Sequence, residues 1–245
     1  MNPVGCSGPA TVAVDGCCFV GTRTGIANYV AALLEPLCAQ HRDVRFFLYC
    51  NDHQGNFPKA PNLEARISLR KRRGPIWHNT HVVDMLRQDG IDLFWGTNGI
   101  IPLRGLGQTA SVLTIHDLVH VFAPQTQEIT KRWKQLFFQP RCTRAADRVI
   151  AASQATADDM ARHYGRVPDS VIHPLADKEF GSADAAAAAD TVRRHLLPRK
   201  FILTVGTLEP RKNLAALVEA HAACIAAGYD VPPLVIVGGN GWRDA

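Results

Sequence analysis

The chain has 245 residues, 47% apolar and 20% charged, a balance ordinary for a folded globular protein that makes intrinsic disorder a poor description of it. A formal net charge of +5 suits an anionic partner such as a sugar nucleotide, a lipid phosphate or a bilayer surface, without selecting among them. After a short Gly/Pro-rich start, Thr11 to Asp15 reads as a buried strand, followed by a loop punctuated by Gly16, Gly21 and Gly25. The apolar positions Ile26, Tyr29, Val30, Leu33, Leu34 and Leu37 then recur at three- and four-residue spacing and predict a helix. Arg45 to Cys50 reads as a second strand, Asp84 to Asp89 as helix, and Ile91 to Trp95 and Ser111 to Ile115 as further strands, the last running into His116 and Asp117. A longer amphipathic helix is predicted over Glu128 to Ala145, then a strand over Arg148 to Ala152 whose Ser153 can cap a helix beginning near Thr156. Ser170 to His173 closes this half, and Asp177 to Asp190 is an alanine-rich stretch open to both linker and surface helix. Strand Phe201 to Val205, helix Asn213 to Ala227 and strand Leu234 to Val237 begin a second βαβ run.

Strands alternating with helices imply parallel pairing through right-handed crossovers, so the expected class is doubly wound α/β, with ligands at the carboxyl ends of the strands. The expected domains are residues 1–175, a linker at 176–199, and the start of a second domain at 200–245. The seven cysteines, Cys6, Cys17, Cys18, Cys38, Cys50, Cys142 and Cys224, form no Cys-x-x-Cys pair and accompany no His cluster at zinc-finger spacing. They read as buried reduced thiols, and no metal site is expected. Met1 to Ala10 has no basic n-region and no long apolar core, and the apolar runs are too short to span a bilayer. The expected location is therefore cytoplasmic, at most peripheral to the inner membrane face.

The segment Val205-Gly206-Thr207-Leu208-Glu209-Pro210-Arg211-Lys212-Asn213-Leu214 places two cations where the chain turns from strand into helix. A helix start offers unpaired N–H groups and the positive end of the macrodipole; with Arg211 as a fork and Lys212 as a point charge it suits a diphosphate. The plain alternative is a solvated first turn. This segment resembles the hallmark of the retaining, GT-B-fold glycosyltransferases of family four, in which it opens the donor-binding domain, and Leu234 to Trp242 resembles that family's next strand and turn. The resemblance implies a GT-B type α/β fold, a Rossmann-like N-terminal domain followed by the start of a second one, with Gly206, Arg211 and Lys212 binding the donor. It also implies transfer without a metal or cofactor, the nucleoside diphosphate sugar being a co-substrate. The family's Glu-x7-Glu element is not found, so the expectation is a fragment or early-terminated member, inactive as a transferase by itself.

Two further segments carry the resemblance. Ile115-His116-Asp117-Leu118 is similar to the segment in which the family's His contacts donor sugar or acceptor, which makes His116 the candidate catalytic residue; by itself a lone His reads as a satisfied core or loop residue. Asp117 either orients that ring or caps the loop. Gly21-Thr22-Arg23-Thr24-Gly25-Ile26-Ala27-Asn28-Tyr29 resembles the family's first glycine-rich loop, with Gly21, Gly25 and Ile26 as candidates; its spacing departs from the dinucleotide fingerprint, which argues against a nicotinamide enzyme. Arg70-Lys71-Arg72-Arg73 reads first as a solvated loop and second as contact with anionic lipid or a lipid-diphosphate acceptor, while no aromatic-interleaved basic motif supports nucleic-acid binding.

The expected function is transfer of a hexose, mannose as a guess, from a nucleoside diphosphate sugar to a polysaccharide or lipid-linked glycan with retention. The rival from another class is a non-catalytic homologue that binds an acceptor, a membrane or a protein partner.

Overall fold

The computed structural model describes residues 10–21, 23–68, 74–176, 181 and 184–239, apart from the Arg211 side chain. The chain divides into two compact units, one of Met1–Phe122 with Thr130–Asp177 and the other of Ala123–Ile129 with Lys178–Ala245.

The first unit is built on seven parallel strands, β1 (Thr11–Asp15), β2 (Arg45–Cys50), β3 (Leu63–Ile67), β4 (Leu93–Gly96), β5 (Ala110–Ile115), β6 (Arg148–Ala151) and β7 (Ser170–Val171), in the order β3-β2-β1-β4-β5-β6-β7. Val14 pairs with Leu48 on one side and Trp95 on the other, and Leu113 pairs with Val149. Successive strand residues point to opposite faces, so runs such as Ala13-Val14 and Phe47-Leu48 feed two separate apolar cores. One core holds Ala13, Phe47, Phe94 and Leu113 with Trp77, Leu86, Met160 and Tyr164. The other holds Val14, Leu48 and Trp95 with Val30 and Leu34 of the first helix.

The helices of this unit are α1 (Gly25–Gln40), α2 (Pro75–Trp77), α3 (Val83–Asp89), α4 (Val119–Phe122), α5 (Ile129–Ala145) and α6 (Gln154–Tyr164), with one π turn, His78–Val82, joining α2 to α3. Caps fix their ends: Thr24 accepts the Ala27 N–H, Ser153 accepts the Thr156 N–H, and Gly90 and Gly165 close α3 and α6 in the left-handed region. Ser170 to His173, expected as a full strand, is shortened to the two residues of β7 at the sheet edge. Leu63–Ile67, not expected as a strand, forms the opposite edge, where Arg66 reaches Glu64 at 3.0 Å and Asp89 at 3.2 Å.

In the second unit α7 (Ala185–Arg194) occupies the alanine-rich stretch, its start capped by Asp184. Parallel strands β8 (Ile202–Val205) and β9 (Leu234–Val237) flank α8 (Leu214–Ala226), with Ile202 opposite Leu234 and Val205 opposite Val237. Neither α7 nor α8 buries a residue.

Candidate active site

β5 ends at Ile115, so His116 is the first residue past the carboxyl end of an interior strand. Its Nε2 lies 2.8 Å from the Thr97 carbonyl oxygen. A carbonyl only accepts, so Nε2 carries the proton and Nδ1 is the acceptor of the neutral ring. Burial lowers the His116 pKa and outweighs the opposing pull of the Thr97 carbonyl and the Asp117 charge, which keeps the ring neutral near pH 7. The Tyr29 ring of α1 meets it edge-on at 5.0 Å, and Thr156 Oγ1 holds the His116 carbonyl at 2.9 Å. Of the two roles open to Asp117, the loop role is the one observed: its carboxylate accepts the Val119 N–H at 3.2 Å, at the start of α4.

Thr97 links this ring to a second polar pair. Its Oγ1 donates to the Asp15 carbonyl at 2.8 Å, at the end of β1. The Asp15 carboxylate accepts the Cys17 N–H at 3.1 Å and faces His78 Nε2 at 2.9 Å, while His78 Nδ1 lies 3.0 Å from the Gly74 carbonyl. Since Gly74 offers only an acceptor, Nδ1 is protonated, and the pair is imidazolium with carboxylate. Both residues are nearly inaccessible, Asp15 at 2% and His78 at 4%. Burial opposes both charges; for His78 the Asp15 charge and both hydrogen bonds outweigh it and raise the pKa, and for Asp15 the His78 and Cys17 contacts outweigh it and lower the pKa. Neither residue stands out in the sequence. The one signal was position, since Asp15 is a carboxylate at the carboxyl end of a central strand; His78 is 63 residues away with no spacing rule to join them.

The glycine loop lies at the same strand ends. Gly21 has φ +81°, a conformation that suits glycine, and donates its N–H to the Gln54 carbonyl at 2.8 Å. Among the described residues nothing outside the neighbouring backbone comes within 4 Å of where a Cβ on Gly21 or Gly25 would lie. Gly25 opens α1, whereas Ile26 packs against the α1 core, so its side chain supports the loop from below. Thr22 lies outside the described residues, as do Arg70, Lys71, Arg72 and Arg73.

In the second unit Gly206 follows β8 and donates to the Val237 carbonyl at 2.9 Å. The Lys212 stem runs back across it, Cε standing 3.5 Å from where a Gly206 Cβ would be. A side chain on Gly238 would strike the Gly206 carbonyl, so this strand end requires glycine at 238, whereas a Cβ at 206 would meet only the Lys212 stem at ordinary contact distance. Arg211 and Lys212 differ from expectation in one respect. They occupy a 3-10 turn, Pro210–Lys212, and Asn213 at φ +51° separates them from α8, because proline fixes the turn's entry and asparagine tolerates the left-handed exit. Among the described residues no group of three His, Cys, Asp or Glu is arranged to hold a metal ion. The described cysteines are free thiols, and burial pushes Cys18 up to about 12.

The sequence profile of Glycosyltransferase Family 4 matches residues 23–180, well over half of the chain. The chain belongs to glycosyltransferase family 4. The family-4 match includes His116, Tyr29 and the Asp15 partner His78, and stops before Gly206. The chain is 42% identical over 82 residues to a D-inositol 3-phosphate glycosyltransferase of Streptomyces bingchenggensis (strain BCW-1), covering 32% of this chain and 18% of that protein. It is 24% identical over 131 residues to the serotype-specific mannosyltransferase WbdA of Escherichia coli, covering 51% of this chain and 16% of that protein. The matched stretch thus spans under a fifth of the length of these curated relatives. Among solved structures, Anabaena Alr3699/HepE in complex with UDP and glucose is similar at TM-score 0.63 and 17% identity, over 95% of this chain and 61% of that one. The catalytic domain of starch synthase IV from Arabidopsis thaliana bound to ADP and acarbose is similar at TM-score 0.57 and 11% identity, over 95% of this chain and 69% of that one. At those identities the likeness is one of fold, the α/β GT-B type.

Proposed function

We infer that this family-4 chain serves hexose transfer from a nucleoside diphosphate sugar to a polysaccharide or lipid-linked glycan, with retention. The observation that carries the reading is His116, a neutral ring at a strand end inside the family match, with Nε2 held by Thr97 and Nδ1 left to accept from a hydroxyl of donor or acceptor. Lys212 and Arg211, with the N–H groups at the start of α8, are the residues proposed to meet the diphosphate as its bond to the sugar breaks. No metal or cofactor enters this scheme. Mannose is the hexose proposed first because the Escherichia coli relative carries that activity in its name. The proposed location is cytoplasmic; among the described residues no helix is long and apolar enough to cross a membrane. Proposed domain limits remain residues 1–175 and 200–245 with a linker between.

The test is a transfer assay with the purified chain, labelled GDP-, UDP- and ADP-hexoses and a glycan and lipid extract as acceptor. Label passing to the acceptor and lost in His116→Ala would establish the enzyme and overturn the expectation that this chain is inactive by itself. Weak donor binding seen by ligand-observed NMR, weakened further in Lys212→Ala and without transfer, is the result expected of a piece of the enzyme. Acceptor binding with no donor binding would select the non-catalytic alternative, and no binding of either would overturn both.

A further inference from the structure

We propose that the outward face of α5 docks the first unit on an anionic lipid surface. Trp133 and Phe137 lie one helical turn apart and are 66% and 51% exposed. The opposite face of the helix holds Gln139, Cys142 and Thr143 in the interior, so the helix is seated by that side and cannot turn its rings inward. Lys134, Arg141 and Arg144 share the outward face, and the Arg141 guanidinium lies 3.7 Å over the Phe137 ring centroid. Over Ile129–Ala145 there are five Lys and Arg and no Asp or Glu.

A surface helix that only needs water is covered by charges of both signs. Large rings standing among cations of one sign are the composition of a helix lying in a membrane interface, with rings at headgroup depth and ammonium or guanidinium groups on phosphates. Charge complementarity selects the occupant. A second copy of the chain would bring the same cations against this face and be repelled, whereas an anionic bilayer supplies dense negative charge beside apolar depth. The surface is distinct from the Arg70 to Arg73 run, and the inference does not depend on the transferase reading.

The experiment is co-sedimentation of the full chain with phosphatidylcholine vesicles and with vesicles in which about a third of the lipid is phosphatidylglycerol. Binding is expected with the mixed vesicles only, falling as salt rises. The double variant Trp133→Ser with Phe137→Ser and the double variant Lys134→Glu with Arg141→Glu should each weaken it by about tenfold or more. Circular dichroism checks that each variant is folded; should the first fail, the charge reversal decides alone. Trp133 emission should also be quenched by brominated lipid chains, and the quenching should drop in Trp133→Phe. Four outcomes would overturn the proposal: no binding, equal binding to both vesicles, binding that neither double variant weakens, or a concentration-dependent dimer dissolved by the Trp133/Phe137 variant.

Discussion

At His116 the Nε2–H donates to the Thr97 carbonyl, and a ring fixed in this way offers a lone pair at Nδ1 only while it is uncharged. Losing a positioned group of this kind costs on the order of a hundredfold in rate, so in a longer homologue that carries the Glu-x7-Glu element the change equivalent to His116→Ala should lower transfer by about that much with the melting temperature of the first unit little changed. Unaltered turnover in the folded variant would leave the residue a structural role alone. The pH profile makes the same point independently. Because burial lowers the His116 pKa from 6.5, transfer should hold as pH falls through 6.5 and fail only below it. The Asp15–His78 pair gives the opposite pattern in stability. His78 is raised above 6.5, so its contribution is complete below 6.5 and lost as pH climbs through its folded value; Asp15 is lowered below 3.8, so its contribution is complete above 3.8 and lost as pH falls through its folded value. Asp15→Asn should therefore destabilise by about 3–5 kcal/mol, with the difference from the natural chain largest between pH 3.8 and 6.5 and shrinking at higher pH, as read by denaturant titration across that range.

Among the elements, α6 has the most separable start. Ser153 stands in extended backbone and accepts the Thr156 N–H at 3.1 Å, so Ser153→Ala should cost about 1 kcal/mol and lower the melting temperature of the first unit by roughly 2–4 °C in calorimetry. A shift within error would mean that water satisfies the Thr156 N–H as well as the serine does. This cap was legible in the sequence because a serine before an apolar periodic run has one obvious use. The interior strands were legible for a related reason: Phe46 to Cys50 is buried on both faces and reads as an unbroken apolar run, and Val112 to Ile115, with Val112 half-buried and Thr114 its one polar residue, comes close to one. Leu63–Ile67 was not, since no residue of that edge strand is buried and it carries Glu64 and Arg66, which is the pattern of a loop. The π turn escaped as well; His78 and His81 are buried polar residues whose place is set by the core around them, and no spacing announces that. At the candidate site the residues on strand ends and loops, His116, Gly21 and Gly25, could be read from motif. The partners that hold them could not, since Asp15 and Thr97 lie at the ends of other strands and His78 in the π turn.

For the molecule as a whole, the two units differ in what keeps water out. The first has two apolar cores on either side of its sheet, whereas in the second the described parts of α7, α8, β8 and β9 hold only exposed or half-buried residues, with Val205 at 71% and Leu203 at 53% exposure. Amide exchange should accordingly be slow in β1, β4, β5 and β6 and fast across residues 202–237, as mass spectrometry on proteolytic fragments would show. Protection in β8 and β9 equal to that in β1 would mean that their apolar faces are covered in solution. The strand order of the first unit also constrains how it is made. Of these seven strands β1 leaves the ribosome first, yet it ends between β2, the next to follow, and β4, which is complete only at Gly96. During vectorial synthesis the nascent sheet β3-β2-β1 therefore waits with the inner edge of its oldest strand bare for roughly a few seconds, given rates of ~5–20 residues per second. Through that interval the edge destined for the centre of the finished sheet is the part of the newborn chain most in need of a chaperone's shelter.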